Sequence, residues 1–304
     1  MSSPEQKRIV CYCGRTFLAE EMDWIRDLIA SHPDYNRNNL SRMVCENLSW
    51  FRPDGRLKDM SCRVAMLRMH RDGLITLPPP QKRNANGRTR PKPTSLSDPR
   101  QPICMPAGKL GKLLFRPVQD RNNSTLWNEC IERYHYLGYH PLPGAQIRYL
   151  LFAGEHLLAA LGFGASAWKV APRDNFIGWS SEQRRQNLHL VVNNARFLIL
   201  PWVTSRNLAS RVLAGVAKRL PLDWQARYGY QPVLLETFVD KTRFHGTSYR
   251  AANWIHAGQT QGRGKLDSKH RHPLSVKHVF LFPLRKDFRS VLCSLPQPHS
   301  YRVH

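Results

Sequence analysis

Acidic side chains are scarce in this chain. Its 304 residues hold 22 Asp and Glu against 46 Lys and Arg, a formal net charge of +24. So few carboxylates leave few candidates for acid–base or metal chemistry, and the surplus of cations repels itself unless a polyanion offsets it. Long apolar runs are missing too. No stretch of about 18 apolar residues occurs, so no membrane-spanning helix is expected. The opening run MSSPEQKRIVCYC has neither the basic start nor the apolar centre of a secretory signal. The seven cysteines are odd in number and scattered, which argues against a disulfide framework. The expected compartment is the reducing cytoplasm. No repeat of fixed period is present.

What is present points to nucleic acid, most readily DNA, as the polyanion that such a surface meets; a cationic surface with no specific partner is the plain alternative. Proline marks the main boundary. From Pro78 the chain reads PPPQKRNANGRTRPKPTSLSDPRQPICMPAGKLG, with Lys82, Arg83, Arg88, Arg90 and Lys92 interspersed. Such a segment buries little apolar surface. It reads as a basic linker over residues 79–112, either plain spacer or a phosphate-tracking arm using Arg88 and Arg90.

Residues 1–78 read as a helical, winged helix-turn-helix-like DNA-binding domain. Met22, Ile25, Leu28 and Ile29 predict a helix over 19–31. Leu40, Val44 and Leu48 predict a second over 40–50. Leu57, Met60, Val64 and Leu67 predict a third over 57–71, each set facing a core. LITLPP then reads as a short strand. The last helix carries Arg56, Lys58, Arg63, Arg68 and Arg71, and in helix-turn-helix domains the final helix enters the major groove. Lys58 and Arg63 are the candidate DNA contacts; a solvated basic face is the alternative. Cys11 and Cys13 have no second pair at zinc spacing nearby and read as buried free thiols.

Residues 113–290 alternate strand and helix patterns, an α+β sheet domain, followed by a tail over 291–304. IRYLLFAGEHLLAALGFGAS predicts a hairpin turning at Gly154-Glu155. NNARFLILPWV, PVLLETFVD and HVFLFPL predict strands. NLASRVLAGVAKRLPLDWQARY predicts a long helix with Leu208, Val212, Val216 and Leu220 inward, capped by Asn207 and Ser210. GTSYRAANWIHAG predicts a short helix closed by Gly258.

The runs YHYLGYHPLPGAQIRYLLF, RDNFIGWS, NNARFLILPWV, NLASRVL, ETFVDKTRFHGTSYRAANWIHAGQTQGRG and FLFPL, in that order over roughly residues 115–290, resemble the DruA family. That family includes Druantia anti-phage proteins and relatives carried beside transposases. The resemblance implies a bacterial mobile element or defence system, with nucleic acid, a transposase or other defence proteins as partners. It implies no particular reaction. At the level of fold, the order of hairpin, strand, long helix, strand and short helix is similar to the GNAT acyltransferases. There, a glycine-rich R/Q-x-x-G-x-G/A loop holds the pyrophosphate of coenzyme A, so this resemblance implies acetyl-CoA as cofactor. TSRNLASRVL stands at that place without glycines. Its helix N-terminus and Arg206 still offer N–H donors and charge, but the close backbone approach that glycine permits is missing.

Among possible chemical groups, Glu236 and Asp240 in ETFVD share one face of a strand, because side chains alternate with a period of two. Asp174, in RDNFIGW, is a candidate third. Converging carboxylates are what a metal-dependent nuclease or transposase-like enzyme needs to hold Mg²⁺; alternatively they pair with Arg173, Lys241, Arg243 or Arg250. His245 follows closely and offers proton transfer. GQTQGRGK, with Arg263 and Lys265, reads as a phosphate-contacting loop or a turn and does not match the P-loop spacing. His135 and Tyr136, with His140 close by, offer a base or a stacking platform. His270, His272 and His278 read as a solvated cluster facing a polyanion.

Overall fold

The computed structural model describes residues 10–52, 55–80, 90–262 and 275–295. Arg88, Arg263 and Lys265, with His270 and His272, lie outside them. The chain divides into two compact units, residues 1–89 and 90–304.

The first unit opens with a hairpin, β1 (Val10–Tyr12) and β2 (Arg15–Phe17). Its turn places Cys13 and Gly14 at positive φ. Three helices follow: α1 (Ala19–Ser31), α2 (Arg37–Asn47) and α3 (Asp59–Arg71). Asn36 caps α2 by accepting from the N–H groups of Asn38 and Asn39. Met22, Ile25 and Leu28 meet Leu40 and Val44 in one buried cluster, as their spacing requires.

Three expectations for this unit change. The strand expected at LITLPP is absent: residues 74–80 are irregular, and the two-stranded sheet precedes α1 instead. Helix α3 is also turned from its expected face. Cys62, Ala65, Met66 and Met69 are buried, whereas Met60 and Val64 are 62% and 39% exposed. Finally, Cys11 is exposed and Cys13 half-buried, because the hairpin carries them on its own surface; both are free thiols.

The second unit is built on a seven-stranded sheet. Its strands are β3 (Leu113–Pro117), β4 (Ile147–Ala153), β5 (His156–Ala165), β6 (Val191–Ile199), β7 (Leu234–Asp240), β8 (Ile255–Gln259) and β9 (Lys277–Pro283). Their order across the sheet is β3-β4-β5-β6-β7-β9-β8. Every pairing is antiparallel except β6 with β7. The β4–β5 hairpin turns at Gly154, where φ is 56°.

Helices α4 (Arg121–Tyr134) and α7 (Leu208–Tyr228) bury Trp127, Ile131, Val212, Val216, Leu220 and Trp224 with the strands in the largest core. Short helices α5 (Ala171–Ile177) and α9 (Phe288–Leu292) close a second core with Leu234, Val279 and Leu281, and α6 (Ser181–Asn187) is tied to α9 where Asn187 Nδ2 donates to the Leu292 carbonyl. Helix α8 (Thr247–Ala251) ends before Gly258, which lies inside β8 rather than closing a helix. Asn207 precedes α7 in the left-handed region and makes no side-chain cap; Ser210 Oγ donates back to its carbonyl.

Residues 90–112, read as linker, are packed onto this unit where described. Glu129, 1% exposed, accepts from Thr94 N, Thr94 Oγ1 and Ser97 Oγ at 2.8–3.1 Å. Ile103 pairs with Val203 beside β6. A buried carboxylate needs such donors, and this segment supplies them. The described helices include none long and apolar enough to cross a membrane.

Candidate functional site

The parallel junction between β6 and β7 is short. Only Val191, Val192 and Asn193 pair with Leu234, Leu235 and Glu236. On its other edge β6 carries an extra residue: Arg196 faces Gly162 and Asn194 faces Phe163, so Ala195 has no counterpart. Beyond Asn193 the two strands part. The opening is a cavity of about 630 Å³, closed by the end of α4 at Tyr134–Leu137 and by the loop leading into α8.

Its floor is a hydrogen-bonded chain. Tyr249 Oη donates to Asn194 Oδ1 at 2.7 Å, and Thr237 Oγ1 donates to the Asn194 carbonyl at 3.0 Å. Gly246 belongs here by necessity: its φ is +72° and a Cβ would fall 2.4 Å from the Phe280 ring. Burial raises the Tyr249 phenol pKa, so it stays a hydroxyl. One wall holds His135, whose Nδ1 accepts from Leu137 N at 3.3 Å. That bond leaves the proton on Nε2. Burial first, then the Arg196 charge, pushes the imidazole down to about 4, so it is neutral. Burial also raises the Tyr136 phenol.

Lys277 and His245 line the opening, and further basic side chains flank it. Arg243 lies 5.3 Å over Tyr136, and Arg250 lies 5.3 Å over Phe280. Lys241, His245, Lys277, His256 and His278 are close by, the last two joined ring to ring at 2.9 Å. Burial, then neighbouring positive charges, holds both of these histidines below their ordinary value. His245 is exposed and lines the cavity, near Asp240 in sequence but outside its hydrogen bonds.

The carboxylates expected to converge do so only in part. Arg173, 0% exposed, donates to Glu236 Oε2 at 2.9 Å and to Asp174 Oδ1 at 2.8 Å. Asp174 also accepts from Trp179 Nε1 and Val170 N, and Glu236 from Ala167 N. These lone pairs therefore face donors. Asp240 stands apart and accepts from Thr242 and Ser275, and the Thr242 hydroxyl does most to hold its pKa low. Among the described residues no group of three His, Cys, Asp or Glu is arranged to hold a metal ion.

The other expected contacts lie elsewhere. Arg206 is exposed just before α7, and Arg90 reaches Glu132 at 3.6 Å. Arg63 pairs with Asp59 at 3.1 Å, and half-buried Lys58 precedes α3. Sequence reasoning missed Arg196. Its signal was a lone arginine inside the apolar run VVNNARFLIL, where charge is costly unless something uses it.

The sequence model described as Druantia protein DruA matches residues 68–272, about two thirds of the chain. The chain belongs to the DruA family. Its match takes in α4 through β8, and so most of the cavity lining of this DruA-family domain. No curated protein sequence matches the chain.

Among solved structures, a Drosophila melanogaster polyamine N-acetyltransferase is 14% identical, covers 57% of this chain and 100% of its own, and gives a TM-score of 0.36. An N-acetyltransferase from Staphylococcus aureus is also 14% identical, covering 58% and 100%, with a TM-score of 0.35. SpeG, a spermidine/spermine N-acetyltransferase from Vibrio cholerae, is 10% identical, covering 58% and 94%, with a TM-score of 0.35. Likeness at these values transfers no activity to the DruA-family chain.

Proposed function

We propose that this DruA-family protein serves a bacterial anti-phage defence system or mobile element by binding DNA, and that the cationic rim of the β6/β7 opening meets the phosphates. The observation that carries this is an imbalance of charge. Lys241, Arg243, Arg250 and Lys277 belong to the segments bordering it, Lys277 lines it with His245, and among the described residues 240–262 and 275–278 Asp240 is the sole acid, already engaged by Thr242 and Ser275. Lysines and arginines held close together gain from a polyphosphate more than from water. The N-terminal unit supplies a second contact as a helical reader, through the exposed face of α3. A transposase or other defence proteins are the partners this reading entails.

The test is binding of duplex and single-stranded DNA across a salt series, with and without Mg²⁺, reading both retardation and cleavage. Affinity should fall steeply with salt. Replacing Lys241, Arg243 and Arg250 by Ala should flatten the slope by about 0.9 for each duplex phosphate that is no longer neutralised. An unchanged slope in the triple variant would remove the rim from the reading. Nicking that needs Mg²⁺ and is lost in Glu236→Gln would replace binding with nuclease action.

A second reading, acyl transfer, is favoured by one feature. Ala209, in the first turn of α7, lines the same cavity, so the N-terminal end of a 21-residue helix, the positive end of its dipole, lies beside it. Thermal stabilisation by acetyl-CoA, absent with pantetheine, would support it.

A further inference from the structure

Arg196 is a buried cation without an anion. Its side chain projects from the bulged part of β6 and the residue is 8% exposed. Nη1 donates to the carbonyl of neighbouring Ala195 at 2.7 Å, and Nε is buried with no hydrogen-bond partner. Among the described residues no carboxylate forms an ion pair with it. Contrast Arg173 in the same unit, also buried and held by two carboxylates.

A guanidinium taken out of water and left unpaired costs several kcal/mol. Nothing on the protein side of the cavity offsets that cost. His135 is neutral, Tyr136 is a phenol, and Asn194 spends its amide on the carbonyls of Gly162 and Arg196. Burial lowers the Arg196 pKa, the same penalty seen from the proton's side.

We propose that Arg196 receives one anionic group, a phosphate or a carboxylate, of a small organic ligand that occupies the cavity between β6 and β7. The rest of the lining defines that ligand further. Asn193 Oδ1 is buried with no donor and calls for an N–H or O–H on the ligand. His135 keeps Nε2–H as a donor, since its Nδ1 is occupied. Tyr136, Phe197, Phe244 and Tyr249 give flat apolar walls. A volume of about 630 Å³ is in the range that holds a drug-sized molecule. The ligand is thus a planar or apolar body with one anionic end and one hydrogen-bond donor. The inference uses the cavity interior and not the rim cations, so it stands or falls apart from the DNA reading.

The test is thermal unfolding of the full chain, as wild type and as Arg196→Met, with matched anionic and neutral compounds. The pairs are AMP with adenosine, benzoate with benzamide, and a 5′-phosphorylated dinucleotide with its hydroxyl form; inorganic phosphate stands alone. At saturation the anionic member of at least one pair should raise Tm by about 2–4 °C while its neutral counterpart does not. Arg196→Met should lose that shift yet unfold no lower than wild type without ligand, since it removes an uncompensated buried charge.

The responding arm names the source of the anion: a free nucleotide, a carboxylate or a nucleic-acid end. Equal response to both members of every pair, no response at all, or a shift retained in Arg196→Met would each overturn the proposal. If Arg196→Met fails to fold, the wild-type comparison of anion with neutral partner decides alone. Affinity and salt slope for duplex DNA without 5′-phosphates, measured on the same proteins, should be unchanged by Arg196→Met; if they persist while no anion shifts Tm, this proposal fails and the DNA reading stands.

Discussion

Arg173 Nη1 donates to Glu236 Oε2 at 2.9 Å, with both side chains 0% exposed. The bond joins α5 to the middle of β7, and the same guanidinium reaches Asp174 at 2.8 Å. Its position next to the cavity, not in it, makes it a support for the β6/β7 junction.

Breaking this pair from one side strands a buried charge. Arg173→Met should therefore destabilise the second unit by about 3–5 kcal/mol. Arg173→Met with Glu236→Gln should recover part of the loss, because the remaining amide carries no charge. Urea unfolding of the two variants checks this. A single variant no worse than the double would show that the pair is not what holds Glu236.

The His135 imidazole sits at about 4 in the folded chain, below its ordinary 6.5. The unfolded chain therefore takes up a proton between these values and the native chain does not. Stability from this group is complete above 6.5 and is lost as pH falls toward 4, by up to about 3 kcal/mol. Urea midpoints at about pH 7 and about pH 5 should diverge less in His135→Gln than in wild type. Equal divergence would take His135 out of the account.

The sequence made the sheet domain legible because its strands are apolar and its turn glycines stand where chain reversal needs them. The Gly154 turn, the inward Leu208-Val212-Val216-Leu220 row of α7 and the strand PVLLETFVD all fall as their periodicity requires. Helix α3 was less legible. Two apolar stripes compete on it, and only the packing of α2 decides that Cys62, Ala65, Met66 and Met69 go inside. The site was least legible. Glu236 and Asp240 do share a strand face, but what each meets depends on α5 and on Ser275, distant in sequence. The parting of β6 from β7 begins beside one unpaired residue, Ala195, that no local pattern marks.

Gly246 offers a direct check of how tightly the cavity is built. At φ +72°, with Phe280 2.4 Å from where a Cβ would stand, Gly246→Ala adds backbone strain and an overlap that the ring must relieve. The expected loss is at least about 2 kcal/mol. Phe280 also stacks on Tyr249 at 5.8 Å, so the disturbance should reach the Tyr249–Asn194 bond. Thermal unfolding with and without a responding anion measures both effects. Wild-type stability and binding would mean that the loop relaxes freely.

The exposed face of α3 tests the reader role of the N-terminal unit. Met60 and Val64, 62% and 39% exposed, lie on one stripe with exposed Arg68 and Arg71, spaced by roughly one and two further turns. Such a stripe pairs apolar contacts with guanidinium groups, the combination that meets thymine methyls, guanine edges and phosphates in a major groove. Arg63 is already engaged by Asp59 at 3.1 Å, so its charge is partly spent. Arg68→Ala and Arg71→Ala should each weaken DNA binding by about 1 kcal/mol or more and flatten the salt slope by about one; Arg63→Ala should do less. Met60→Ala should leave the slope alone and alter preference among sequences, since a thioether contacts bases and not phosphates. Anisotropy titrations against two duplexes over a salt series separate these cases. Wild-type affinity and slope in both Arg68→Ala and Arg71→Ala would show that this helix does not read DNA, and would leave Met60 and Val64 as an uncovered apolar stripe.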